Sequence, residues 1–186
     1  MRLTALALAF CPLSAFAVGD FDITPPTPSE TTTVCEEGFV WDLATESCLP
    51  PEDSTNDDSA RLNDVRELAY AGRYQTTLQV LESLENPETS LALTYYGFVY
   101  RKSGQVALGR SYYQQALQAD PDNILARSYM GQGFVTSGEI LLARAQLNEI
   151  RARGGVGTWA ETALAEAIAS GQAHDCLLYT SPSPRD

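Results

Sequence analysis

Between residues 58 and 170, apolar side chains recur at three- and four-residue spacing, the mark of helices with one buried face. Leu62, Val65, Leu68 and Ala69 share a face of a first helix. Ala71-Gly72-Arg73-Tyr74 reads as a turn, and Leu78, Leu81 and Leu84 line a second helix that stops before Asn86-Pro87. The pattern then repeats. Sliding the chain along itself until Gly97 meets Gly131 also places Tyr100 on Phe134, Gly104 on Gly138, Leu108 on Leu142, Arg110 on Arg144 and Tyr113 on Leu147. The step from Gly72 to Gly104 is slightly shorter than the step from Gly104 to Gly138, so the first unit has a shorter connection. Asp120-Pro121-Asp122 ends one helix and starts the next. Small residues (Gly97, Gly131, Ala116 and Ala143) are expected where two helices cross closely. Beyond Gly154-Gly155-Val156-Gly157, helical spacing returns in Trp159, Ala163, Leu164, Ala167 and Ile168. The pattern predicts an all-α body of paired helices.

The middle unit reads Leu93-x2-Tyr96-Gly97-x2-Tyr100, then Gly109-x3-Tyr113, Ala116 and Pro121. The next reads Arg127-x2-Met130-Gly131-x2-Phe134, then Ala143-x3-Leu147 and Ile150. At the period set by Gly97 and Gly131, the body resembles the tetratricopeptide repeat. The resemblance implies a right-handed α-solenoid of about three helical hairpins over 58–171 (58–89, 90–123 and 124–157), closed by a capping helix at 158–170. Asp64 stands where the family has a large apolar residue, which fits an end repeat with one solvated face. In that family the first helix of each hairpin lines a concave groove for peptides or partner helices. The resemblance assigns that groove to Arg66, Ala69 and Tyr70, then Thr94, Phe98, Arg101 and Lys102, then Ser128, Gln132 and Val135. Thr94 and Phe98 stand where the chaperone-binding members carry the lysine and asparagine that grip a C-terminal carboxylate, so that activity is not expected.

The two ends read differently. Met1 to Ala17 carries Arg2, an apolar run from Leu3 to Phe10 and the small-x-small triplet Ala15-Phe16-Ala17, the pattern of a secretory signal peptide. Residues 18–57 are expected to be a disordered, acidic Pro/Thr-rich arm, with Thr24-Pro25-Pro26-Thr27-Pro28 as extended chain. Residues 172–186 read as a tail. Within it Cys176 to Asp186 resembles the translation of a transposase adapter used in sequencing, so the natural chain is expected to diverge near Asp175. Cys35 and Cys48 then remain as one pair, expected to form a disulfide in an exported chain. They bracket Phe39-Val40-Trp41 and the turn residues from Asp42 to Ser47, which predicts a small hairpin. This segment is similar to the last cysteine hairpin of peritrophin-type chitin-binding modules, although those need more cysteines. That likeness implies glycan stacking on Trp41, against a plain packing role on the disulfide.

Of 186 residues, acids exceed bases by 12, and the excess sits at one end. Residues 18–60 hold eleven acids and no base, while 61–175 hold twelve acids and ten bases. Such a balance argues against nucleic acid as a partner. The only histidine is His174, and no serine or cysteine nucleophile has a base in reach of its sequence pattern. Gly154-Gly155-Val156-Gly157 lacks the preceding strand and the lysine of a phosphate loop. No cofactor, metal or membrane span is expected. Taken with these exclusions, the resemblance implies a non-catalytic adaptor, periplasmic or secreted, whose groove is expected to hold a peptide or helix of an envelope protein. A second reading is cell-wall or polysaccharide attachment through the cysteine hairpin, and a third has the acidic arm occupying the groove in cis.

Overall fold

A computed structural model describes residues 26–173. The expected leader (1–17), the first residues of the arm, and the tail from His174 onward lie outside the described residues. Within them the chain is mostly helical, with one two-stranded sheet. A short helix α1 (Glu30–Thr33) leads to the antiparallel strands β1 (Val40–Asp42) and β2 (Ser47–Leu49), in which Trp41 faces Cys48. Seven longer helices follow: α2 (Asp58–Tyr70), α3 (Tyr74–Glu82), α4 (Ser90–Lys102), α5 (Val106–Ala119), α6 (Ile124–Thr136), α7 (Ile140–Ala152) and α8 (Trp159–Ser170). Helices α2/α3, α4/α5 and α6/α7 pack as consecutive pairs. The leading members α2, α4, α6 and α8 also touch one another in order.

The same local devices recur in each unit. Leading helices begin on side-chain caps: Asp57, Thr89, Asn123 and Thr158 each accept from a backbone N–H of the first turn. Thr89 and Asn123 coincide under the same shift that lays Gly97 on Gly131, so the repeat read in the sequence is also a repeat of structure. Each leading helix of the two matched units ends on a glycine in the left-handed region, Gly104 at φ 85° and Gly138 at φ 75°. The amides of Gln105 and Glu139 then donate back to the carbonyls of Tyr100 and Phe134, both at 2.8 Å. This is the Schellman ending, and open space around both glycines shows that the backbone angle, not crowding, calls for glycine.

Close approach explains the other pair of matched glycines, but not identically. A Cβ on Gly97 would lie 2.6 Å from the Tyr113 ring, within the α4/α5 pair. On Gly131 it would lie 2.6 Å from Leu164, in the next unit. The sequence reading placed both at crossings within a hairpin. Gly131 instead lets α8 seat against α6, and Leu147 stands where the middle unit has the broad ring of Tyr113.

The main correction concerns the arm. Residues 29–57 were expected as solvated chain around an isolated hairpin, and they are instead folded against α2 and α3. Val40 is 1% exposed and belongs to the same core as Val65, Leu68 and Val80. Arg73 donates to the carbonyls of Thr31, Thr32 and Cys35 at 3.1, 2.9 and 2.7 Å, so one guanidinium satisfies the end of α1. Hydroxyl-rich composition, read as disorder, here supplies donors to buried carboxylates.

Candidate functional site

Among the described residues, the inner layer of leading helices, a cleft under the N-terminal segment and an outer groove beside α5 gather the aromatic and polar side chains from which a site would be built.

The inner layer is closed by its own aromatic rings. Tyr70 stacks on Phe98 with centroids 6.0 Å apart, and Phe98 meets Tyr129 at 4.9 Å. Trp159 of α8 completes the group, 5.9 Å from Tyr129 and 6.5 Å from Tyr70. The hydroxyls of Tyr70 and Tyr129 share a hydrogen bond of 2.9 Å. Of the residues that the family resemblance assigns to a groove, Ala69, Tyr70, Thr94, Phe98, Ser128, Gln132 and Val135 are buried. Thr94 donates to Ser90 O and accepts from the Asn123 amide, tying the cap of α6 to α4. Gln132 donates to Ser128 at 3.3 Å, while its Oε1 is buried with no donor among the described residues. Arg66, Arg101 and Lys102 stay partly exposed. Arg101 lies along Gly133 of α6, donates to the Tyr113 hydroxyl at 3.3 Å and stands 5.6 Å from the Phe98 ring. The expected groove residues are thus brought together as a core with a cationic rim. The resemblance implies their shared face, but not how tightly that face curls.

The cleft holds about 320 Å³ between the N-terminal segment and α2. Trp41, Leu43, Asn56, Asn63, Asp64 and Arg66 are among its lining residues. Two carboxylates of α2 anchor its wall. Glu67 accepts from the Ser29 amide (2.8 Å), the Ser29 hydroxyl (2.6 Å) and Thr32. Asp64 accepts from the Thr31 hydroxyl at 2.7 Å and from Asn56 at 3.4 Å. Burial pushes the Asp64 carboxyl up to about 6, against the pull of those hydrogen bonds. Asp64, read as a solvated departure in an end repeat, is therefore a buried acceptor. Asp42 goes the other way. Its carboxylate accepts from the backbone of Thr55 and Thr45 and from both hydroxyls, which holds it well below the ordinary carboxylate range. It fastens the hairpin turn to the chain leading into α2. Cys35 and Cys48 are joined, as expected.

The outer groove, of about 600 Å³, is lined by Pro87, Glu88, Leu93, Tyr96, Tyr112, Gln115, Gln118 and Ala119. Tyr112 stacks on Tyr96 (5.1 Å, 19°) and on Tyr100 (5.3 Å, 13°). Burial, reinforced by the nearby Glu82 carboxylate, pushes the Tyr96 phenol up to about 12. In the sequence Tyr96 and Tyr100 stand out only as motif positions of the middle unit, and Tyr112 has no role there. Its position on α5, one helical turn after Leu108 and one before Gln115, was the available signal for an outward face.

Among the described residues no helix is long and apolar enough to cross a membrane, and no group of His, Cys, Asp and Glu is arranged to hold a metal ion. Comparison with family models, curated proteins and solved structures finds no match for this chain.

Proposed function

We propose that this chain is an exported, non-catalytic adaptor of the tetratricopeptide-repeat type, its hairpins forming a short right-handed solenoid that holds a segment of an envelope protein. One observation carries the reading. The cap, the glycine ending and the helix pairing recur at a single period, from Thr89 to Asn123 and from Gly104 to Gly138, as expected of stacked repeats whose surfaces serve recognition. The Cys35–Cys48 disulfide and the leader-like start support a periplasmic or secreted location. Because the leading helices bury most of the residues assigned to a concave groove, the partner is held on the exposed outer faces or at the Arg66, Arg101 and Lys102 rim.

The test uses the full chain expressed with its leader and a photo-reactive residue at Lys102 or Gln115. The expected result is an oxidised chain in the envelope fraction and a discrete protein adduct that excess unlabelled chain suppresses. A reduced chain in the cytosol, or no protein adduct from either position, overturns the proposal.

A second reading, glycan attachment, is favoured by one feature: Trp41 lines a cleft with Asn56, Asn63 and Asp64, an aromatic face beside groups that pair with hydroxyls. It predicts that the full chain is retained on insoluble cell-wall glycan and that Trp41→Ala releases it. Equal retention of both removes this reading.

A further inference from the structure

We infer that the outer groove beside α5 receives an extended, arginine-bearing segment of the partner. This rests on the adaptor reading and adds the place and the chemistry of recognition. Tyr112 is half-buried and offers a ring already fixed by stacking on Tyr96 and Tyr100. A ring held that way loses little freedom when a second planar group lies on it. Guanidinium is the side-chain cation that stacks on an aromatic face and still donates hydrogen bonds from its edge.

A carboxylate acceptor for that edge lies in the groove itself. Glu88 lines it, and Glu82 acts electrostatically on Tyr96. Glu82, Glu85 and Glu88 are all exposed. The lining contains no lysine or arginine. Arg61, on the neighbouring α2, turns inward and donates to the carbonyls of Ser83 and Ser54. Asp58 is also engaged, accepting from the amides of Glu85 (2.9 Å) and Asn86 (3.2 Å), which holds the acidic loop in place. Glu88 in the groove and Glu82 near Tyr96 therefore place negative charge beside a fixed aromatic floor. Gln115 and Gln118 of α5 also line the groove, and their amides suit the backbone of an extended chain, the Gln115 amide donating as well to Ser111 O at 3.3 Å. The counterpart of Tyr112 in the next repeat is Gln146, so the floor belongs to this one unit and defines a single site.

The experiment titrates the purified full chain calorimetrically with blocked peptides alternating glycine with arginine, lysine or glutamate. The arginine peptide is expected to bind at one site, about tenfold more tightly than the lysine peptide, a difference of about 1.4 kcal/mol. The glutamate peptide is expected not to bind. Tyr112→Leu, which keeps an apolar plug, should remove the preference for arginine over lysine. Paired Glu82→Gln and Glu88→Gln should weaken both cationic peptides about tenfold. Glu36→Gln with Glu46→Gln, on the cysteine hairpin, should leave binding unchanged. Thermal melting of each variant confirms that it is folded.

Equal affinity for arginine and lysine, or equal losses from the groove and hairpin charge variants, would reduce the effect to attraction by net charge and overturn the inference. Absence of binding by the arginine peptide overturns it as well. In each case the cellular adducts from Lys102 and Gln115 still judge the adaptor reading separately, since they presume no partner charge.

Discussion

The hydroxyls of Tyr70 and Tyr129 lie 2.9 Å apart, although 59 residues separate them in the chain. Tyr70 ends α2 and Tyr129 sits midway along α6, so the bond joins helices of the first and third pairs. With Phe98 and Trp159 it fills the space between leading helices that an open repeat array would leave to a ligand.

Truncating this layer should therefore cost folding free energy rather than partner affinity. Phe98→Ala is expected to destabilise the chain by about 3–5 kcal/mol in urea unfolding, the range for a buried aromatic. Lys102→Glu, at the partly exposed rim, should shift the midpoint little. Comparable midpoints for Phe98→Ala and the parent would mean that the inner face is open.

Gln132 buries an amide oxygen that meets no donor among the described residues. Gln132→Met keeps the length of the side chain and removes that acceptor, together with the long 3.3 Å donation to Ser128. Stability should rise by about 1 kcal/mol, since a buried unpaired polar group carries its full desolvation cost. A loss of similar size would show that the oxygen is paired in solution.

The repeat body was legible because its devices are local. The turn glycines announce themselves within a few positions, and Gly104 and Gly138 fall where the period puts them, whereas the caps Thr89 and Asn123 carry no mark in the sequence that sets them apart from Asp120 and Asp122. The fate of the N-terminal segment was not legible. Ser29, Thr31 and Thr32 look solvent-seeking in sequence, and only the fold brings Glu67 and Asp64 to them from far along the chain. The same applies to the groove. The family resemblance assigns Tyr70, Thr94 and Phe98 to one face, but the curl that buries that face depends on contacts between helices distant in the chain.

The buried carboxyl of Asp64 gives a pH signature. Its folded-state value, about 6, lies above the unfolded value of about 4, so the folded state holds this proton more tightly. The stabilisation is complete below the unfolded value and is lost as pH rises from about 4 through 6. Asp64→Asn should flatten this part of the stability profile relative to the parent, read as the difference between the two urea midpoints at each pH. Parallel profiles would place Asp64 in solvent.

Arg73 closes the end of α1 by donating to three carbonyls. Arg73→Ala should raise hydrogen exchange across residues 29–38 by about tenfold or more, with α6 and α7 unaffected, because buried carbonyls would lose a charged donor. Reducing Cys35–Cys48 should act on the same region and cost about 3 kcal/mol. Uniform exchange changes along the whole chain would show that the segment and the repeats unfold as one unit.

Amide chemical shifts of the full chain, followed while the glycine–arginine peptide is added, test the division of labour between a packed inner layer and a receptive outer groove. Saturable changes confined to residues 82–89, Leu93, Tyr96 and 112–119 are expected. Changes centred on Arg66, Phe98, Arg101 and Gln132, with the outer groove silent, would contradict it.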